Sequence, residues 1–257
     1  MAEARIPGQS RTSRAGPPLL SVVVPVLNEA AHILPLVAEI RAALGDTCEY
    51  EIIYVDDGST DGTRERLREA AGEGPELRVV RHNRSFGQSA ALRSGVLAAR
   101  GSLVATLDGD GQNDPADIPH LLEVQRSHAG RRRLMVTGNR VDRKDSAMRR
   151  LVSRVGNAVR RRVLRDDNPD SGCSLKLFER ALFLSLPYFD HMHRFLPALA
   201  RREGCEIRVV PVSHRPRTAG RSKYTTLGRL LVGIPDLVGV LWLIRRFPHG
   251  LEREEQA

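Results

Sequence analysis

The chain has 257 residues, 41% hydrophobic and 28% charged, a globular composition with length for a sizeable core in one large α/β domain or two small ones. Forty basic against 31 acidic residues leave a formal charge of +9, which points to an anionic partner; 4% aromatic content argues against a base-stacking surface for single strands. Only Lys144, Lys176 and Lys223 of the 40 basic residues are lysines, so much of the basicity is an arginine bias that does not by itself separate nucleic acid, membrane and phosphate.

Residues 1–18 are rich in Arg, Ser, Gly and Pro without an apolar core, and read as a disordered basic tail, not a signal peptide. Ser21–Leu27 is a near-continuous apolar run, and Tyr50–Val55, Leu77–Arg81, Leu103–Leu107 and Leu134–Thr137 repeat the pattern. Helical patterns over 29–44, 61–71, 88–100 and 116–128 lie between them. This alternation predicts an α/β fold with a mostly parallel central sheet and helices on both faces. Cys48, Cys173 and Cys205 are widely spaced without a CxxC pair, which suits a reducing compartment and gives no zinc pattern.

The regularity fails after about residue 140. A basic helical stretch over 146–165, a turn over 168–172, a mixed region and a strand-like run Cys205–Val212 follow. His191-Met192-His193 reads as two structural histidines, because alternate residues rarely share a helix face. Leu230–Ile244 is apolar except for Asp236 and is broken by Pro235. As a helix it would span about 22 Å, short of the roughly 30 Å hydrocarbon core. It reads as two short helices on a membrane surface, with Arg245 and Arg246 at the headgroups and Trp242 as anchor. A buried core helix or a dimer interface is the competing reading. The boundaries are a catalytic domain over 19–224 and an amphipathic, juxtamembrane segment over 225–257.

The chemistry concentrates at strand ends. Asp108 and Asp110 follow the fourth run and put two hard oxygen ligands at the sheet edge where α/β proteins bind ligands. Such a pair suits Mg²⁺ or Mn²⁺ carrying substrate phosphates. Asn28 and Glu29 follow the first run, Asp56 and Asp57 the second, and Asn83 to Gln88 the third. A nucleotide could lie across these loops, with Asp56 or Asp57 accepting hydrogen bonds from its base or ribose. Ser59-Thr60-Asp61 is also ordinary helix-capping chemistry. Arg149 and Ser153 share a helix face suited to phosphate, or to a solvated basic surface. Lys223 follows a glycine turn and suits either a loop closing over a diphosphate or an ordinary surface loop.

VVVPVLNE, VDDGSTDGT, NRSFGQSAALRSG and LDGDGQNDP, in this order and spacing, resemble the family 2 glycosyltransferases of GT-A fold, and within them the polyprenyl-phosphate group that includes dolichol-phosphate mannose synthases. Gly138-Asn139-Arg140, the Arg149–Ser153 block, Asp170–Phe178, His193–Pro197 and His214–Tyr224 extend the likeness to about residue 225. The family's metal segment is usually Asp-Ala-Asp-Leu-Gln-Asp-Pro; here one more residue precedes Pro115, and the Asp-x-Asp-x-Gln spacing survives. Cys173 and Lys176 depart from the family form.

The resemblance implies metal ligation by Asp108, Asp110 and Gln112. It implies donor binding by Pro25, Leu27, Asn28, Glu29, Val55, Asp56, Asp57, Gln88 and Lys223, and acceptor-phosphate binding by Arg140, Arg149 and Ser153. The expected reaction is inverting transfer of a sugar from a nucleotide sugar, GDP-mannose or a UDP-hexose, to a polyprenyl phosphate. The expected place is the cytoplasmic, inner face of the cell membrane, with an integral membrane partner or homo-oligomer as companions and no nucleic acid. Two other readings are a family 2 enzyme acting on a saccharide and a non-catalytic basic membrane-docking protein.

Overall fold

The computed structural model describes residues 18–128, 133–141, 160, 162–164, 168–216 and 226–247. Its first half alternates as the sequence dictates. Strand β1 (Leu20–Val26), helix α1 (Ile33–Leu44), β2 (Tyr50–Asp56), α2 (Thr63–Gly72), β3 (Leu77–Arg81), α3 (Gln88–Ala98) and β4 (Leu103–Thr106) follow in order. A short 3-10 turn (Pro115–Asp117), α4 (Ile118–Ser127) and β5 (Leu134–Arg140) come next. The second half adds β6 (Lys176–Glu179), α5 (Arg180–Ser185), a 3-10 turn (Met192–Arg194), α6 (Leu196–Arg202), β7 (Glu206–Val212) and α7 (Thr226–Arg245).

The strands form one sheet in the order β3-β2-β1-β4-β6-β5-β7. All neighbours are parallel except β6, which runs antiparallel to both β4 and β5. Successive side chains of a strand point to opposite faces, and here both faces are covered. Val22 and Val24 join a core with α1, α2 and α4, whereas Val23 joins a second core with α3, α5 and α6. That is why the runs are continuously apolar rather than alternating.

The sheet has two functionally distinct edges. At the amino edge, Glu51 is buried and accepts from Ser21 Oγ (2.7 Å), Arg100 N (2.6 Å) and Arg78 Nη1 (2.8 Å), a purely architectural knot. The carboxyl ends of β1 to β5 share the other edge. Because β6 is reversed, its first residue, Lys176, lies there too, in register with Thr106 of β4 and Thr137 of β5. The sequence pattern gave no sign of this short antiparallel strand.

The C-terminal segment departs from expectation in one respect. It forms a single 20-residue helix that runs through Pro235, not two short ones. Proline removes one intrahelical hydrogen bond, but the turns beyond it are held on the core. Val240 is buried, and Leu237, Leu241, Leu243 and Ile244 pack against the second core. Asp236, the one acid of the apolar run, accepts from His191 Nδ1 at 3.0 Å. His193 turns elsewhere, its Nδ1 2.8 Å from Ser89 Oγ, so the two histidines have separate structural partners. No described helix is long and apolar enough to cross a membrane. The expected helix over 146–165 lies almost wholly outside the described residues.

Candidate active site

The first two loops at the carboxyl edge are laced together. Asn28 adopts a left-handed conformation (φ 59°), which short amide side chains tolerate. Its N–H donates to Ser59 Oγ (2.9 Å), and its Oδ1 accepts from Thr60 N (2.8 Å). Glu29 N donates to Thr63 Oγ1 (2.9 Å), and the Glu29 carboxylate meets His32 Nδ1 at 2.9 Å. Pro25 and Leu27 are half-buried beside this lacing, and Val55 is fully buried in the second core, so its side chain supports the site from beneath.

Asp56 and Asp57 have sharply different duties. Asp57 is saturated: it accepts from His82 Nδ1 (2.7 Å), Ser85 Oγ (2.7 Å), Phe86 N (2.9 Å) and Gly87 N (2.9 Å). A carboxylate cannot donate, so His82 carries its proton on Nδ1, and its Nε2 takes the Ser94 hydroxyl at 2.9 Å. Burial alone would raise the Asp57 pKa, but the donors of Phe86, His82, Ser85 and Gly87 outweigh it and hold the carboxyl below its ordinary range. Asp57 therefore shapes the β3–α3 loop. Asp56 Oδ1 accepts from Ser59 N at 2.8 Å. Its Oδ2 is buried with no hydrogen-bond partner, and Arg81 Nε stands 3.5 Å away. Asp56 Oδ2 is thus held by its ion pair with Arg81 rather than by a hydrogen bond.

The paired acids sit on a constrained turn. A Cβ at Gly109 would lie 2.3 Å from Val26 Cγ1 and 3.1 Å from the Pro25 carbonyl oxygen, so the residue between the acids has no room for a side chain. Gln88 Nε2 donates to Asp108 Oδ1 at 2.8 Å, and Gln112 N donates to Asp110 Oδ1 at 3.1 Å. Asn113 is buried, and its Oδ1 accepts from Ser174 Oγ (3.0 Å) and Asp108 N (3.4 Å). The lengthened stretch before Pro115 is thus absorbed by an inward-turned asparagine. Arg215 closes the far side: its N–H donates to the Gln112 carbonyl (2.9 Å), and its guanidinium reaches Asp114 (2.6 Å) and Glu39 (2.8 Å).

Opposite charges pack behind the acids. Arg140, at the end of β5, grips Asp170 through Nε–Oδ2 (2.7 Å) and Nη2–Oδ1 (2.8 Å). Lys176 is buried and its ammonium donates to the carbonyls of Ser171 and Cys173. A compact ammonium suits this narrow turn better than a guanidinium fork. Burial pushes the Lys176 pKa down, against the pull of Cys173, Asp108 and Asp170. The Asp108 carboxyl is pushed up, first by burial and then by the charge of Asp110.

The donor set fits a hard divalent cation. A cation between Asp108 and Asp110 would relieve both causes of that upward shift. Among the described residues no group of three or more His, Cys, Asp or Glu forms a closed metal cage. An open pair of carboxylates is the arrangement in which substrate phosphates complete the coordination of Mg²⁺.

The residues expected to bind the donor, Pro25, Leu27, Asn28, Glu29, Val55, Asp56, Asp57 and Gln88, and the acids 108 and 110 therefore lie at one edge with Arg140. Arg149, Ser153 and Lys223 lie outside the described residues. Pattern reasoning assigned no role to Asn113, Asp170, Lys176 or Arg215. Lys176 did carry a signal, as one of only three lysines in an arginine-rich chain.

Comparison with known proteins places the chain. The sequence model of glycosyl transferase family 2 matches residues 21–186. A dodecaprenyl-phosphate galacturonate synthase of Rhizobium johnstonii is 39% identical over 232 residues, covering 88% of this chain and 67% of the relative. An undecaprenyl-phosphate 4-deoxy-4-formamido-L-arabinose transferase of Pseudomonas aeruginosa is 40% identical over 227 residues, covering 86% and 64%. The chain thus spans about two thirds of the length of these curated relatives. In structure it is similar to glucosyl-3-phosphoglycerate synthase from Mycobacterium tuberculosis in complex with Mg²⁺ and UDP, with a TM-score of 0.65, 22% identity, and coverage of 91% of this chain and 81% of that one. A mannosyltransferase from Pyrobaculum calidifontis in complex with GDP-Man and Mn²⁺ gives a TM-score of 0.59 at 22% identity over 81% of this chain and 59% of that one. The mostly parallel seven-stranded sheet is the GT-A arrangement of these structures, and on sequence and fold together the chain belongs to glycosyl transferase family 2.

Proposed function

We propose that this chain transfers a glycosyl unit from a nucleotide diphosphate sugar to a polyprenyl phosphate at the inner face of a membrane, with Mg²⁺ or Mn²⁺ as cation. The observation that carries the reading is the Asp108–Asp110 pair, held by Gln88 and Asn113 and backed by Arg140 and Lys176 at the carboxyl edge of the sheet. Both relatives named above are polyprenyl-phosphate sugar enzymes by name, which supports the acceptor.

The residues divide the work. Asp108 and Asp110, with Gln112 beside them, would hold the cation, and the cation supplies neutralisation of the departing diphosphate. Gln88 fixes the Asp108 carboxylate in place. Arg140 uses Nε and Nη2 on Asp170 and keeps Nη1 for an acceptor phosphate. That acceptor needs no general base, because a phosphate monoester with a second pKa near 6 is largely dianionic at neutral pH. Positioning and charge stabilisation then carry the catalysis, and direct displacement inverts the anomeric centre. Arg149, Ser153 and Lys223 are assigned to phosphate binding in the same reading.

The loop of Asp56 and Asp57 is assigned to the nucleotide's base or ribose. A nucleoside diphosphate with Mn²⁺ should raise the melting temperature, as ligand linkage requires, and comparison of UDP with GDP identifies the base. Turnover is tested by incubating the protein with Mn²⁺, UDP-sugars and undecaprenyl phosphate. Asp110→Ala should abolish sugar-lipid formation with the far-UV spectrum unchanged. An active Asp110→Ala protein, or transfer to saccharides but not to lipid phosphate, would overturn the proposal.

A further inference from the structure

We infer that Arg215 is a positioning residue for the cation: it locks the loop that carries Asp110 and Gln112, and so presents the Gln112 amide oxygen to the site between Asp108 and Asp110. The inference rests on the reading of that acid pair as cation ligands. Arg215 lies just beyond β7, far along the chain from the acids, yet its backbone and its side chain both meet their loop.

The backbone sets the register. Arg215 N–H donates to the Gln112 carbonyl at 2.9 Å, and Gln112 Nε2 donates back to the Arg215 carbonyl at 3.4 Å. Beside them Asn113 and His214 form an isolated antiparallel bridge, and Ser213 N donates to Asp117 Oδ2 at 2.8 Å. A glutamine amide has one donor end and one acceptor end. With Nε2 spent on the Arg215 carbonyl, Oε1 is the end left for a hard cation.

The side chain holds that register in place. Nη1 reaches both oxygens of Glu39 on α1 at 2.8 Å, and Nη2 reaches Asp114 Oδ2 at 2.6 Å. A planar fork serves two carboxylates at once, which a point charge on a flexible stem does less well. Asp114 is used at both ends, because its Oδ1 caps the 3-10 turn by accepting from Ala116 N at 3.0 Å. The Arg215 and Glu39 side chains are 39% and 40% exposed, and ion pairs so exposed add little to global stability. Their effect is therefore local, on the shape of the loop. Asn113 pins the same loop from the other side through Ser174 Oγ, so the cation segment is fastened from two directions. Removing a group that orients a metal ligand from behind typically costs about 10–100-fold in metal affinity.

The test is Mn²⁺ binding by the full chain in the presence of UDP or GDP, followed by loss of the free-ion signal in electron paramagnetic resonance. Arg215→Gln should weaken Mn²⁺ binding about tenfold, with the far-UV spectrum and the urea midpoint unchanged. Asp114→Asn keeps the cap, because asparagine caps as well as aspartate, and should give a similar loss by removing the ion pair alone. Arg215→Lys should recover part of the affinity. On a Gln112→Ala background, Arg215→Gln should cost little more, as expected of two residues that act through one contact. Sugar transfer by Arg215→Gln should need correspondingly more Mn²⁺ to reach half its maximal rate. Equal Mn²⁺ affinity in wild type, Arg215→Gln and Asp114→Asn would overturn the inference. So would full additivity with Gln112→Ala, since Arg215 would then not act through that amide. A wild type that binds no Mn²⁺ with either nucleotide would overturn it together with the cation reading. Weaker Mn²⁺ binding in the variants, with no wild-type transfer to undecaprenyl phosphate, would sink the transfer reaction and leave the role of Arg215 standing.

Discussion

Two neighbouring acids, Asp56 and Asp57, show how much a residue's role depends on where its oxygens point. Their identity is plain in the sequence, and either could have served the nucleotide. The strand's alternation sends them to different surroundings, and only the partners around each decide what it holds, Ser59 and Arg81 at Asp56 and four donors at Asp57. Asp57→Asn keeps the shape but cannot accept from all four donors, and should cost about 2–4 kcal/mol in urea unfolding. The pH dependence has a definite sign. The folded Asp57 carboxyl titrates below its ordinary range, so its stabilisation is complete above the unfolded value near 4 and fades as pH falls through the folded one. The wild type should therefore lose stability steeply below about pH 4, and Asp57→Asn should show a flatter acid limb. Equal acid limbs would remove the role assigned to this residue. The donors themselves, two of them backbone amides, were beyond pattern reading.

At the scale of elements, the first half was legible because local signals and global fold agree. Apolar β-branched runs, each followed by a helical pattern, could hardly build anything but parallel βαβ units. The contact of α3 with the sheet shows the fit this requires. A Cβ at Gly95 would lie 2.3 Å from Val23 Cγ1 and 3.1 Å from Val55 Cγ2, both on stiff, fully buried side chains. Gly95→Ala should destabilise by about 1–3 kcal/mol through overpacking, despite the better helix propensity of alanine. A neutral or stabilising result in denaturant titration would show that α3 sits more loosely than described. The second half was less legible for a physical reason. Strand β6 is four residues long, and its pairing partners are set by distant chain, not by its own periodicity. Pro235 misled in the opposite direction, since a helix break was expected where packing and one hydrogen bond carry the helix through.

The described residues form one sheet between two cores, and α7 is part of the second. Trp242 fluorescence and far-UV ellipticity should therefore follow a single unfolding transition. His191→Gln removes the tie to Asp236 and should let the tryptophan transition run ahead of the ellipticity. Coincident curves in that variant would show that apolar packing alone holds the helix.

The reversed strand has a further effect on how the protein comes into being. The floor beneath the acids is closed by contacts such as Thr106 Oγ1 to the Ser174 carbonyl, between residues 68 apart in the chain. Loop closure over that span is slow relative to local helix and hairpin formation. A nascent chain on the ribosome can thus assemble its nucleotide-side strands early. It completes the floor beneath Asp108 only after residues 170–179 have cleared the exit tunnel, so the two halves of the edge are joined late.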